Sequence, residues 1–424
     1  MDRTKPKSSA AAPASLSDLP DEALLEILSR LPVKPLHRSK CVAKAWRDLI
    51  DDPIHRKKLF PQTLEGFFFM YEGFYAGAGS DDEGSDEGGG SFDGGHLGFV
   101  NLGERLLPVD IDHQFSFLTE MPGIETLLLK DSCNGLLLFE HVRELNPVDQ
   151  IGYIVCNPAT KRWGMVPNCD CPSDTEPYTF LFFDPAASAY FHLVKFCYHV
   201  VVDNVDLLEE GEEQVSVTTV VHTYSSETGT WSHSSRDWMV EEEQGQLEGW
   251  RHQGLQPFSF GSSSVFLNGM LHLLLVDGGQ VVVVDMQGKT RRIIHLPIAE
   301  EDRRDYFGYV AKSQGCLHYI HQKYGAQGNQ LFIWVLSDCD TQEWILKGTV
   351  NFSELFGEEI VGDGISIHPD QNVVFFKALN RKLMSYHLDH KEVSVITTFE
   401  KEYHSNIFPY VPYFSESPAL TNMH

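Results

Sequence analysis

The sequence predicts a multidomain α + all-β fold, in which a small helical domain precedes a much larger domain of strands. Helical spacing of apolar residues is confined to the first 60 residues, and short apolar runs bounded by turn residues fill the remainder. One hairpin motif also recurs at wide intervals along the second part, which indicates a repeat architecture. The chain has 424 residues, enough for two or three domains.

Residues 1–15 are mostly Lys, Pro, Ser and Ala without periodicity, and we expect a disordered tail. Three short helices are expected within residues 16–60. Pro20 suits the first position of a helix whose apolar residues recur three and four positions apart until Pro32 ends it. Pro35 can open a second helix. A third apolar stripe is formed by Val42, Trp46, Leu49 and Ile50.

Residues 61–424 are expected to form the all-β domain, since their apolar runs are short and end at Gly, Asn, Asp or Pro. The segment 76–95 interrupts them with Gly and acidic residues that have nothing to bury, which predicts a disordered loop. Ser80 and Ser85 precede acidic residues in this loop and could be phosphorylated by an acid-directed kinase. A solvated loop without regulation is the alternative.

Three hairpin segments share the pattern [N/S/D]-x-x-T-x-x-W, and each follows an apolar strand. The first residue is expected to cap the turn, Thr to close it, and Trp to start the returning strand and pack inward. The residues in these structural roles are Thr160 and Trp163, Thr228 and Trp231, and Thr341 and Trp344.

The spacing of these hairpins favours the blades of a β-propeller. Trp163 and Trp231 are 68 residues apart, and weaker copies of the turn near Arg291 and Asp389 fit a similar period. Asn-Gly or Gln-Gly turns at 134–135, 268–269 and 314–315 lead into further strands. Six blades are expected, with seven possible, and the strand at 408–414 is placed to join the first blade. An open β-sandwich with chance repeats is the alternative.

Charge and composition exclude several classes of protein. The net charge is −27, and residues 1–59 hold 12 basic against 8 acidic residues, so the β domain carries all of the acidic excess and repels nucleic acid. No apolar run approaches the ~20 residues that cross a bilayer, and the N-terminus does not read as a secretory signal. Eight Cys residues without an export signal are expected as free thiols. We therefore expect a protein of the cytoplasm, the nucleus or both.

The sequence lacks several local motifs of enzymes and metal sites. The patterns GxxxxGK[ST], HExxH and GxSxG do not occur. His318 and His321 are three positions apart on a strand and should point to opposite faces, while Cys169 and Cys171 lack a second pair at zinc-finger spacing. No catalytic residue, cofactor or metal is predicted.

The helical segment resembles an F-box, through LPDEALLEILSRLPVK at 19–34 and CVAKAWRDLI at 41–50. The β domain resembles the F-box-associated, kelch-like propellers of plant F-box proteins, through CNPATKRWGMVP at 156–167 and the hairpin repeat. The resemblance implies a non-catalytic substrate receptor of an SCF-type cullin–RING ubiquitin ligase. Its F-box would dock on a Skp-type adaptor, and through it a cullin, while the propeller holds an unknown target protein.

The apolar content of the helical segment is consistent with docking, because about 40 residues cannot bury so many large side chains by themselves. By resemblance, the residues that would contact the adaptor are Leu19, Pro20, Leu24, Ile27, Leu28, Leu31, Pro32, Pro35, Leu36, Val42 and Trp46. Two other functions remain open. The chain could be a propeller scaffold without a ligase role, or a propeller enzyme whose ligands cluster near the ring axis.

Overall fold

The computed structural model describes residues 19–59, 64–71, 96–102, 112–142, 150–169, 177–203, 214–233, 247–251, 264–275, 279–298, 307–323, 330–352, 366–378, 381–399 and 407–422, except positions 32, 53–54, 56–58, 113, 122–123, 125 and 248. The chain divides into two compact units, residues 1–62 and 63–424. The predicted tail and acidic loop, with Ser80, Ser85 and Pro32, lie outside the described residues. No helix in the described part of the chain is long and apolar enough to cross a membrane.

The described residues of the first unit include the helices α1 (Asp21–Ser29), α2 (Val33–Ser39) and α3 (Lys44–Asp51). Pro20 precedes α1 instead of starting it, and its carbonyl accepts hydrogen bonds from the backbone N–H groups of Ala23 and Leu24, both at 3.0 Å. Pro35 lies in the first turn of α2, where a missing N–H breaks no helical hydrogen bond. Val42 precedes α3, so it lies outside the stripe that Trp46, Leu49 and Ile50 were expected to share with it.

The second unit is a six-bladed β-propeller, which confirms the predicted fold class. Blade 1 contains β1 (Gly66–Tyr71), β2 (His96–Asn101) and the last strand of the chain. A short helix, α4 (Ser116–Thr119), follows β2, and a 3₁₀ turn spans Gly249–Arg251. Blades 2 to 6 each contain four consecutive antiparallel strands.

The strands of blades 2 to 4 are β3 (Thr126–Cys133), β4 (Leu136–Val142), β5 (Gln150–Asn157) and β6 (Arg162–Pro167); β7 (Tyr178–Phe182), β8 (His192–Asp203), β9 (Gln214–Ser225) and β10 (Thr230–His233); and β11 (Ser264–Leu267), β12 (Met270–Leu274), β13 (Gln280–Val284) and β14 (Thr290–His295). Those of blades 5 and 6 are β15 (Phe307–Ser313), β16 (Cys316–Lys323), β17 (Gln330–Asp338) and β18 (Glu343–Asn351); and β19 (Ser366–Ile367), β20 (Val373–Ala378), β21 (Lys382–His387) and β22 (Glu392–Thr398).

The last strand, β23 (Ile407–Tyr410), closes the ring by pairing antiparallel with β1, with Phe68 opposite Phe408. Closure by a C-terminal strand was predicted, although the strand is shorter than the expected 408–414. Residues 411–422, which we call the C-terminal extension, continue onto blades 2 and 3. The Asn157 side-chain amide donates to the Tyr413 carbonyl at 2.7 Å, and the Ser417 hydroxyl donates to the Ala189 carbonyl at 2.6 Å.

Neighbouring blades pack face to face through apolar side chains. One cluster joins Ile320 of blade 5 to Phe376 of blade 6, and another joins Val194 of blade 3 to Leu273 of blade 4. The predicted Asn-Gly and Gln-Gly turns link the first two strands of blades 2, 4 and 5, and both residues of each turn have positive φ, between 46° and 89°. Positive φ at both turn residues matches the twist of the flanking strands, which explains why Gly and Asn are preferred at these positions.

Candidate functional site

The core of the helical unit is small. Among the described residues it consists of seven buried apolar side chains, Leu24, Leu25, Leu28, Leu36, Leu49, Ile50 and Leu59. Leu31 and Trp46 pack partly against it. Three helices therefore share one compact cluster, in which every buried member comes from an aliphatic residue.

Among the described residues of the same unit, three large apolar side chains remain in solvent. Leu19 is 36% exposed, Ile27 is 45% exposed and Val42 is 65% exposed. Pro20 and Pro35 are exposed as well. Exposed apolar side chains concentrated in so short a segment mark a surface that a partner can cover.

The expected adaptor-contacting residues therefore separate into two groups. Leu24, Leu28 and Leu36 lie in the core, at 4%, 0% and 0% exposure, so in this conformation they support the helices and do not form the contact surface. Helical spacing gives a broad apolar face without separating its buried side from its exposed edge, so the sequence could not make this division. The residues that a partner can reach are the exposed Leu19, Pro20, Ile27, Pro35 and Val42, with the half-buried Leu31 and Trp46, and the adaptor-contacting role of the whole set stays a prediction.

The three repeated hairpins share one turn geometry. In each, the first residue accepts a hydrogen bond through its side-chain oxygen from the backbone N–H two positions later, at 3.1 Å for Asn157, 3.3 Å for Ser225 and 2.7 Å for Asp338. The Thr closes each turn, as expected. Thr160 and Thr341 do so through their backbone N–H groups, and Thr228 does so through its hydroxyl.

The Trp residues of the repeat have a role that the sequence did not reveal. Trp163 is buried, as predicted, but Trp231 and Trp344 are only half-buried. The indole N–H of Trp231 in blade 3 donates to the Pro167 carbonyl at the end of blade 2, at 2.8 Å. The indole of Trp344 in blade 5 likewise donates to the His295 carbonyl at the end of blade 4, at 2.8 Å. Both therefore join one blade to the preceding one.

Buried titratable groups lie within the blades. Burial lowers the pKa of His272 and of His318 to about 4, although each imidazole also has a backbone hydrogen bond that favours its charged form. His321, three positions after His318, stacks on Phe332 with ring centroids 4.9 Å apart. At neutral pH His272 and His318 are therefore uncharged inside the folded propeller.

Cys169, His222 and His233 come together although they are far apart in the sequence. Their Sγ and imidazole N atoms all lie within 4.8 Å of one another, and this is the metal-compatible group found among the described residues. Cys169 and His222 are buried, and His233 is exposed. Cys171, the partner considered from the sequence, lies outside the described residues. Sequence spacing missed the group because Cys169 follows the last strand of blade 2, whereas both His residues lie in blade 3.

Residues 16–58 match the F-box domain family, and residues 107–416 match the family described as F-box protein At3g26010-like, beta-propeller. The chain belongs to this family of F-box proteins with an associated propeller. The combination supports a substrate-adaptor role in general, and F-box proteins are typically non-catalytic.

Relatives of this F-box protein in Arabidopsis thaliana have the same general description. F-box protein At5g07610 is 24% identical over 79% of the chain and 71% of its own length. F-box protein At5g49610 is 25% identical over 78% of the chain and 79% of its own length. Putative F-box/kelch-repeat protein At4g22430 is 22% identical over 88% of the chain and 79% of its own length. Each of these relatives therefore matches more than three quarters of the chain and more than two thirds of its own length.

Proposed function

We propose that this F-box protein is the substrate-recognition subunit of an SCF-type cullin–RING ubiquitin ligase. Its F-box binds a Skp-type adaptor, which connects it to a cullin, and its propeller binds the protein to be ubiquitinated. The observation that supports the proposal is the exposure of Leu19, Ile27 and Val42 in a unit that matches the F-box domain. Burying such side chains against a partner is favourable by about 25 cal/mol per Å² of apolar surface.

The proposed place of action is the cytoplasm, the nucleus or both. The seven cysteines in the described part of the chain are free thiols, which is consistent with a reducing compartment. Cys133 and Cys156 are buried inside blade 2, and burial raises the pKa of both thiols above their ordinary value. These two are therefore unreactive core residues.

The test is a pull-down of a purified Skp-type adaptor with the full chain. Ile27→Asp places a charge on an exposed apolar position, so the fold should persist while binding falls by tenfold or more, because the charge must be desolvated at the interface. Val395→Asp is the matched control, since Val395 is 53% exposed but lies on β22 of the propeller. The proposed docking surface would be contradicted if Ile27→Asp, Leu19→Asp and Val42→Asp all bound the adaptor as tightly as the unmodified chain does.

A second measurement separates the ligase role from a scaffold role. Affinity purification from cells should recover both the adaptor and a cullin with the unmodified chain, and neither with Ile27→Asp. Recovery of target proteins without adaptor or cullin would favour the scaffold.

A further inference from the structure

The structure brings a thiol and two imidazoles together at the boundary of blades 2 and 3. Cys169 follows β6 by two residues, while His222 lies on β9 and His233 ends β10. We propose that Cys169, His222 and His233 bind one thiophilic divalent cation, with Zn²⁺ the best match, and that water occupies the fourth position. The ion would join the two blades.

The types of ligand select the metal. One thiolate and two imidazoles suit Zn²⁺, whereas Mg²⁺ and Ca²⁺ require oxygen ligands, which this group does not offer. With metal–ligand bonds of about 2.0 to 2.3 Å, a tetrahedral ion keeps its ligand atoms roughly 3.3 to 3.7 Å apart. In this structure the three ligand atoms lie within 4.8 Å of one another, so small side-chain rotations would bring them to these distances.

The fold holds the three side chains in place. His222 and His233 are directly opposite each other in the antiparallel register of β9 and β10. The Trp231 indole, two residues before His233, donates at 2.8 Å to the carbonyl of Pro167, two residues before Cys169. The same hydrogen bond therefore brings the segment of Cys169 beside β10. A hydrogen bond is directional, so this placement is fixed by more than apolar contact.

The two imidazoles also contact each other. Their Nδ1 atoms are 2.6 Å apart, a distance at which one proton is shared between them. A bound cation would take the place of that proton. The competing explanation is that the imidazoles only share a proton and that the thiol packs beside them without a ligand role. Thiolate coordination separates the two explanations, because a bound metal takes Cys169 as a thiolate ligand, whereas a proton shared by the imidazoles does not involve the thiol.

The test uses the untagged full chain with Zn²⁺ and with Co²⁺ as a spectroscopic probe. We expect one Zn²⁺ bound per chain, a higher melting temperature with Zn²⁺, and a thiolate-to-cobalt charge-transfer band with Co²⁺. His233→Ala should weaken Zn²⁺ binding by at least tenfold, since losing even a supporting residue of a metal site costs about 10–100-fold. Because His233 is exposed, this variant should fold normally. Cys169→Ser should remove the thiolate band.

Matched controls are available on the surface of the same chain. His390→Ala and Cys316→Ser replace exposed residues of the same types and should leave Zn²⁺ affinity and the cobalt band unchanged. The proposal is overturned if the unmodified chain gives no thiolate band with Co²⁺, or if His233→Ala binds Zn²⁺ as tightly as His390→Ala does. His233→Ala decides the question even if Cys169→Ser fails to fold.

Discussion

The helical unit and the propeller differ in how completely they bury their own apolar side chains. Among the described residues, three large apolar side chains are exposed in the helical unit and five in the much longer propeller. The helical unit has one core of seven buried residues, whereas the propeller has six separate clusters of eight to thirteen buried residues. A unit this short cannot enclose its apolar surface, so the excess is available to a partner.

The propeller buries its apolar side chains more completely because its ring is closed. β23 supplies the strand that completes blade 1. Removing residues 404–424 should have the largest effect of any change considered, since it exposes the edge of β1 and removes the C-terminal extension. We expect loss of cooperative unfolding of the propeller, measured by calorimetry. Removing only residues 411–424 should lower the melting temperature less, because β23 remains. Unchanged melting after the longer deletion would show that closure does not depend on β23.

Leu28 and Ile27 are adjacent in α1 and provide the sharpest contrast within the helical unit. Leu28 is fully buried, so Leu28→Asp should destabilise the unit by roughly 2–5 kcal/mol and melt its helices. Ile27→Asp should leave the helices intact, since that side chain is already in solvent. Circular dichroism and protease sensitivity of the unit measure the difference. Equal stability of the two variants would mean that the small core does not hold the three helices together.

The sequence predicted the fold better than the site. Turn chemistry at Asn157, Ser225 and Asp338 is local, so it could be recognised from residue types and spacing alone. Burial within the helical unit depends on how three helices pack, and the spacing of Leu24, Ile27 and Leu28 could not assign each to a side. The Trp231 and Trp344 hydrogen bonds and the Cys169 group cross between blades. No pattern along the chain encodes such contacts.

Two buried histidines should make the propeller sensitive to acid. The pKa values of His272 and His318 are lowered to about 4 in the folded chain, against about 6.5 when unfolded. The unfolded chain therefore binds more protons, and stability is lost as pH falls from about 6.5 to about 4, at up to about 1.4 kcal/mol per pH unit for each group.

Chemical denaturation across this pH range measures the slope. His318→Gln should flatten it, and His390→Gln, at an exposed position, should not. Asp131 acts in the opposite direction, because desolvation raises its pKa to about 7. Its contribution to the free energy of unfolding therefore grows as pH falls from about 7 to about 4. Asp131→Asn should therefore steepen the acid loss. If His318→Gln leaves the slope unchanged, the histidines are not the source of the acid sensitivity.

The smallest effects concern the two indole hydrogen bonds between blades. Trp231→Phe and Trp344→Phe remove the N–H that reaches the preceding blade while keeping an aromatic ring. Each should lower the free energy of unfolding of the propeller by about 1 kcal/mol beyond the lost packing, and the two losses should add because the sites lie at different blade boundaries.

Trp334→Phe is the control. Trp334 is half-buried on β17, packs against the same cluster as Trp344, and its indole N–H has no hydrogen-bond partner among the described residues. The loss measured for Trp334→Phe therefore reports the smaller ring without the loss of a hydrogen bond. Equal losses for all three variants would assign the contribution of the indoles to ring packing and leave no role for the hydrogen bonds in joining the blades.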